Sequence, residues 1–230
     1  MPAEPVVHPW VPPEEASPIP WEQVERSLRM AHQGRNPHLN SPLKPESARR
    51  AAVAVVLWGD AAGARKLVLI QRGFGAPQHP GEVAFPGGME EPSDRDLPST
   101  ARRELHEELG VKDGLWEIGC FPDGVAKART RFTPVFFRWE APEPGFEIGS
   151  EILDALMLPL APLMKAPWTM QIFEREGRAL AVPRLELPKA PLWGATAFVL
   201  KAWLDILQGA GQAHSDNLIH SFGPFIGRST

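Results

Sequence analysis

The chain has 230 residues, 43% of them hydrophobic and 23% charged, with a net charge of −4; that is the make-up of a folded globular protein, and it excludes wholesale disorder and any general attraction for a nucleic-acid backbone. A single cysteine, Cys120, excludes an internal disulfide and a zinc site built from cysteines. No apolar run reaches the ~18 residues of a membrane span, and the proline-rich, acidic start lacks the apolar stretch of a secretory signal, so a cytoplasmic protein is expected, without nucleic-acid or membrane partners.

Residues 1–19 are rich in proline and poor in apolar pattern, an extended arm. Trp21, Val24, Leu28 and Ala31 then recur at helical spacing, and Gly34 suits the end of that helix. A polar linker, Asn36–Ser47, follows. Ala51–Trp58 is a continuous apolar run, too short for most helices, and reads as a buried strand. Lys66–Arg72 reads as a second strand, with a turn over Asp60–Ala64. A loop rich in Gly and Pro, Gly73–Gly88, leads to the clearest helix, Leu97–Leu109, with Pro98 in its first turn and Gly110 just past its end. Trp116–Phe121 and Phe132–Trp139 are strand-like, and Glu151–Pro159 is a short apolar segment. Trp168–Phe173 and Ala179–Leu187 look like a hairpin turned by Arg175–Gly177, with Pro183 putting the second strand at a sheet edge. Thr196–Leu207 is a further helix, and residues 209–230 a loose tail. This order argues for an α/β fold, a mixed sheet with helices on its faces. It divides the chain into an N-terminal arm with one helix (1–45), a main domain (46–208) and the tail. The arm and its helix are free to pack on the domain or to mediate a homodimer.

The chemistry lies on Leu97–Leu109. At about 100° per residue, Ala101, Leu105 and Leu109 share a stripe that must face the core, and Glu104, Glu107 and Glu108 share one flank of it. Carboxylates at i, i+3 and i+4 repel one another, by about 0.2–0.5 kcal/mol per pair on an exposed helix and by more beside a core. A hard divalent cation relieves such crowding, and magnesium keeps part of its water shell for phosphate ligands. Pairing with Arg102, Arg103 and Lys112 on a solvated face is the plainer alternative. Against it stands the upstream turn Phe85-Pro86-Gly87-Gly88, whose glycines let backbone approach a ligand and present a carbonyl to a metal.

The stretch Gly88-(five residues)-Asp94-(eight residues)-Arg103-Glu104-Leu105-His106-Glu107-Glu108-Leu109-Gly110-Val111 resembles the signature box of the Nudix hydrolases. It departs from the commonest form in having Asp94 for Glu and a second gap longer by one residue. Both departures resemble the coenzyme A pyrophosphatase branch, as do Leu67–Arg72 and His79-Pro80-Gly81-Glu82-Val83-Ala84-Phe85-Pro86-Gly87-Gly88. Gly73 stands where that branch has Ser or Ala, and Pro77 where it has Arg. Glu151, ahead of Pro159, and Trp193-Gly194-Ala195-Thr196 also resemble features of the branch. The likeness spans roughly Arg50 to Leu207.

The resemblance implies a Nudix-type α/β/α sandwich and hydrolysis of a nucleoside diphosphate linked to another group. Its implied cofactor is Mg²⁺ or Mn²⁺, bound by Glu104, Glu107 and Glu108 with the Gly87 carbonyl. Glu151 is the implied general base or extra ligand, with an ordinary loop carboxylate as the alternative. Arg103 orients the glutamates and Asp94 braces the loop onto the helix. Arg72, with a fork suited to phosphate oxygens, and His79 are candidate substrate contacts; a surface ion pair and a structural hydrogen bond are their alternatives. His106 and Cys120 are read as inert, Lys127, Arg129 and Arg131 as a solvated loop, and Trp168 and Trp193 as core. The expected substrate is coenzyme A or acyl-CoA. ADP-ribose, dinucleotides or oxidised nucleotides are the alternative, favoured by Pro77, and a non-catalytic nucleotide-binding domain is the third reading.

Overall fold

The computed structural model describes residues 10–12, 18–33, 49–59, 64–76, 79–126, 130–141, 145–175 and 178–209. In chain order the elements are α1 (Trp21–Gln33), β1 (Arg49–Gly59), β2 (Arg65–Arg72), β3 (Val83–Ala84), β4 (Gly87–Met89), α2 (Leu97–Leu109), β5 (Leu115–Cys120), β6 (Gly124–Ala126), β7 (Thr130–Trp139), β8 (Ile152–Pro159), α3 (Leu160–Met164), β9 (Thr169–Arg175), β10 (Arg178–Arg184) and α4 (Gly194–Leu207). The unbroken apolar run of β1 puts it at the centre of the sheet. β1 pairs in parallel with β7 along its length. Its other edge is shared: β2 takes Val56–Gly59 and β4 takes Ala51–Val53, both antiparallel. The order is β3-β2-β1-β7-β5, with β8 on β2 and β6 on β7.

Side chains alternate across a strand, so the run feeds both faces of the sheet. Ala52, Ala54, Val56 and Trp58 of β1, with Val68 and Ile70 of β2, pack under Ala101, Leu105 and Leu109 of α2. Ala51, Val55 and Leu57, with Leu67, Leu69 and Phe136, pack under Val24 and Leu28 of α1 and Leu200 and Trp203 of α4. The molecule is therefore an α/β/α sandwich with a mixed central sheet. Among the described residues no helix is long and apolar enough to cross a membrane.

α2 has the bounds read from the sequence, with Pro98 in its first turn and Gly110 at its end. Asp96 caps it by accepting from the Ser99 N–H, and Gly110 closes it in the left-handed region at φ 70°. Elsewhere the structure adds to the sequence reading. α1, grouped with the arm, packs on the domain, one of the two placements left open for it: Trp203 Nε1 donates to Ser27 Oγ at 2.8 Å, and Gln23 Nε2 to the Leu207 carbonyl at 3.0 Å. The segment before Pro159 is a full strand, β8, antiparallel to β2. The expected hairpin is there as β9 and β10, a separate two-stranded sheet in which Pro183 faces Met170 and its strand is an edge, as read from the sequence. The short β3 and β4 fall in or at the end of the loop expected over Gly73–Gly88, and β6 and α3 in stretches given no element from the sequence. Most of the arm, the linker, Asp60–Gly63 and Glu176–Gly177 of the expected turns, and residues 210–230 lie outside the described residues.

Candidate active site

α2 presents its flank of carboxylates to the β4 turn and to the end of β2. The core stripe fixes its rotation: Ala101, Leu105 and Leu109 are fully buried, which turns Glu108 partly inward and leaves Glu107 exposed. Glu108 accepts from the Gly87 N–H at 2.9 Å and from Arg72 Nη1 at 3.3 Å. Burial pushes its carboxyl from 4.5 up to about 7; the Glu104 and Glu151 carboxylates add to the rise, and Gly87 and Arg72 oppose it. Glu104 is also raised, by burial first.

Arg103 organises the outer half of the cluster. Its fork grips Asp94 through Nε (3.0 Å) and Nη2 (3.1 Å), while Nη1 reaches Glu104 (3.0 Å) and Glu107 (3.1 Å) and Nη2 also donates to the Met89 carbonyl (2.9 Å). Those bonds hold Asp94 down to about 2, Arg103 being the largest cause. Asp94 accepts further from Thr100 Oγ1 and the Glu91 N–H, so loop and helix are tied together through one carboxylate. The glycines of β4 allow the close approach. A Cβ on Gly88 would lie 2.3 Å from Glu104 Oε1, and one on Gly87 would lie 2.4 Å from the Ala52 carbonyl oxygen.

Glu151 arrives from another element. The segment before it is pinned to the end of α2, with Glu147 N–H on the Leu109 carbonyl (3.0 Å) and Gly149 N–H on the Glu108 carbonyl (2.9 Å). Gly73 N–H then donates to the Glu151 carbonyl at 2.7 Å, and Arg72 Nη2 to the Glu151 carboxylate at 3.3 Å. A Cβ on Gly73 would stand 3.1 Å from that carbonyl oxygen, so the absence of a side chain favours this approach. Arg72 thus bridges Glu108 and Glu151, which makes it a bracket between carboxylates as the site stands.

Of the residues picked from the sequence, Glu104, Glu107, Glu108, Gly87, Arg103, Arg72 and Glu151 are brought together. His79 is not: it sits at φ 54° farther along the loop, paired with Glu82 at 2.9 Å. His106 is exposed; Cys120 is half-buried, its thiol raised by burial. Arg131 pairs with Asp123 at 3.8 Å. Trp168 donates to the Leu163 carbonyl, and Trp193 packs on Phe173. Pro77, Lys127 and Arg129 lie outside the described residues. The Met89 carbonyl and the Gly73 N–H escaped the sequence reading, since a backbone contact leaves no residue-type signal.

The donor set is all oxygen, and its carboxylates outnumber the two arginines, Arg72 and Arg103, that pair with them; it suits a hard divalent ion. Among the described residues no three His, Cys, Asp or Glu side chains converge as a ready chelate, because Arg103 and Arg72 hold the carboxylates on separate bonds.

A family model described as NUDIX domain matches residues 48–179. A probable nudix hydrolase of Schizosaccharomyces pombe is 29% identical over 207 residues, covering 83% of this chain and 67% of that protein. A peroxisomal coenzyme A diphosphatase of Caenorhabditis elegans is 38% identical over 128 residues, 54% of each chain. The chain thus spans 67% of one of these relatives and 54% of the other. The MutT protein from Methanosarcina mazei Go1 superposes with a TM-score of 0.46 at 14% identity, over 71% of this chain and 96% of that one.

Proposed function

The chain belongs to the Nudix family, whose hydrolases generally use divalent metal ions on small nucleotide-derived substrates, and on that premise we propose that it hydrolyses the pyrophosphate bond of coenzyme A or acyl-CoA, giving adenosine 3′,5′-bisphosphate and an (acyl-)phosphopantetheine. The observation that carries the hydrolase reading is the gathering of Glu104, Glu107 and Glu108 against the Gly87-Gly88 turn, with Glu151 brought to Glu108 by Arg72. The coenzyme A reading is supported by the resemblance over Leu67–Gly88 and by the nematode relative.

Glu104, Glu107 and Glu108, with the Gly87 carbonyl, are the residues that would hold Mg²⁺ or Mn²⁺. When bound, such an ion neutralises the diphosphate and activates water. Glu108 must lose its proton to serve, and the Gly87 N–H and Arg72 stabilise its charged form. Glu151, whose carboxylate is exposed at the rim beside Arg72, is our candidate for the group that takes the proton from an attacking water. Arg103 keeps Glu104 and Glu107 in place from behind. Arg72, once a diphosphate competes for its fork, turns from bracket to phosphate contact.

The test is turnover with Mg²⁺ or Mn²⁺ on coenzyme A, ADP-ribose, NADH and nucleoside triphosphates. Preference for coenzyme A is expected, and Glu107→Gln abolishes it. No preference removes the substrate assignment; Pro77, standing where the branch has Arg, favours ADP-ribose or a dinucleotide in that event. Unaltered turnover in Glu107→Gln removes the mechanism.

A further inference from the structure

Residues 147–151, which bring Glu151 to the site, lie across the last turn of α2. Two backbone bonds fix this strap to the helix: the Glu147 N–H donates to the Leu109 carbonyl at 3.0 Å and the Gly149 N–H to the Glu108 carbonyl at 2.9 Å. A third closes a tight turn, Ile152 N–H on the Gly149 carbonyl at 3.0 Å. Ile152 is buried and opens β8 in register with Arg72 of β2. The far end of the strap is held just past β2, where the Gly73 N–H donates to the Glu151 carbonyl at 2.7 Å. The main chain of Glu151 is thus gripped between α2 and β2, while its side chain is 60% exposed. A long, solvated side chain keeps its rotamer freedom, so the backbone that carries it sets where the carboxylate can reach.

Both grips are made at glycines. A Cβ on Gly149 would stand 2.5 Å from the Glu107 carbonyl oxygen and 3.4 Å from the Glu108 Cα. The first distance is far inside the ~3.3 Å of a close carbon–oxygen contact, and the atom it meets is main chain, so no rotamer relieves it. Gly149 does not have a positive φ, so the position demands glycine for space and not for backbone conformation. The contact at Gly73 is milder: a Cβ there would stand 3.1 Å from the Glu151 carbonyl oxygen, which a small shift accommodates.

We propose that Gly149, with Gly73 at the other end of the strap, is a positioning residue for Glu151: the missing side chain lets the strap lie directly on the turn of α2 that carries Glu107 and Glu108, and so fixes the Glu151 carboxylate relative to theirs. The assignment rests on the reading of Glu151 as the group that takes the proton from water. The coupling is short. Gly149 is bonded to the backbone of Glu108, and Arg72, in register with Ile152, pairs with the carboxylates of both Glu108 and Glu151.

The experiment pairs hydrogen exchange on the metal-free, full-length protein with a double-mutant cycle in turnover. The Gly73 amide exchanges faster in Gly149→Ala than in the wild type, because the strap that carries its acceptor is displaced. The Gly81 amide, bonded to the Arg72 carbonyl at the same end of β2, keeps its protection. Turnover is measured with Mg²⁺ on the best substrate of the panel above. Glu151→Gln lowers kcat by about 10²–10⁴-fold, the scale of a general base. Gly149→Ala lowers kcat by about 10²-fold, the scale of a group misplaced by ~1 Å, with KM and Mn²⁺ affinity near their wild-type values. Gly73→Ala, the less crowded change, lowers it less. The Gly149→Ala/Glu151→Gln double variant is no slower than Glu151→Gln alone, since groups that act as a unit are not additive. A glycine needed merely for folding would multiply the two losses instead. Unchanged exchange at Gly73, unchanged kcat in Gly149→Ala, or multiplied losses in the double variant each overturn the proposal and leave Glu151 in its role. Full activity in Glu151→Gln overturns that role and the proposal with it. If Gly149→Ala does not fold, Gly73→Ala takes its place in the cycle and decides by the same rule.

Discussion

Glu108 is the residue on which competing demands meet. It belongs to the flank needed for chemistry, yet the stripe that buries Leu105 and Leu109 draws it inward, to 8% exposure. Its folded carboxyl titrates at about 7 against 4.5 ordinarily, so between those values the native state binds a proton that the unfolded chain has released. Stability of the metal-free protein therefore falls as pH rises from 4.5 toward 7 and stays reduced above it, by up to about 3 kcal/mol from this group alone. Glu108→Gln keeps the neutral form at every pH. In urea titrations with chelator present, the variant gains on the wild type from pH 5 to pH 8; parallel curves would show that burial of this carboxylate carries no such cost. Arg103 poses a different question, because its fork serves several acceptors at once. Arg103→Lys keeps the charge and loses the fork. A fall of about 10–100-fold in kcat, the usual scale for a group that orients ligands, is expected for Lys as for Ala. Full activity in Arg103→Lys would reduce the bracket to simple charge balance.

α2 was legible because its signals are local. Pro98 in the first turn, the apolar stripe and Gly110 all lie within one short stretch, and they agree. The bracket formed by Arg72 was not legible. It depends on the register of β8 against β2 and on the pinning of residues 147–149 to the end of α2, pairings between segments distant in sequence. β3, β4 and β6 escaped for another reason: elements of two or three residues are too short to show a period. Glycines at the two ends of this unit allow fold and chemistry to be separated. Gly88→Ala sets a Cβ 2.3 Å from Glu104 Oε1, the movable end of a side chain, so the helix and its stability survive while Glu104 is displaced. Metal affinity drops about tenfold with Tm near the wild-type value. Gly110→Ala does the reverse. At φ 70° and with Glu147 Cβ 2.6 Å away, the new side chain strains the end of α2 by about 1–2 kcal/mol, so Tm falls while the folded protein binds metal normally. Titration with Mn²⁺ and thermal melts on both variants separate the effects; coincident losses in the two would mean that helix end and site are one cooperative unit.

At the scale of the molecule, the sheet divides labour between its faces. α2 and the carboxylates occupy one face, while α1 and α4 close the other through Val24, Leu28, Leu200 and Trp203. Composition alone suggested that α1 travels with the proline-rich arm, because the polar linker after it looks like a boundary. The Ser27–Trp203 hydrogen bond and the burial of Leu28 show that the boundary in composition is not one in packing. Rigidity of the central strands is what the two faces share, since Leu57 and Leu67 lie on one side of the same strands whose Val56 and Val68 support α2. Loss of packing on the far face should therefore reach global stability without reaching the geometry of the site. Leu28 is 3% exposed, and Leu28→Ala removes its side chain from a close-packed cluster at a cost of about 2–5 kcal/mol. The expected result is a marked fall in Tm with kcat/KM of the folded fraction unchanged at a temperature well below the transition. A fall in kcat/KM at undiminished Tm would mean that α1 shapes the active site directly, and the independence of the two faces would have to be abandoned.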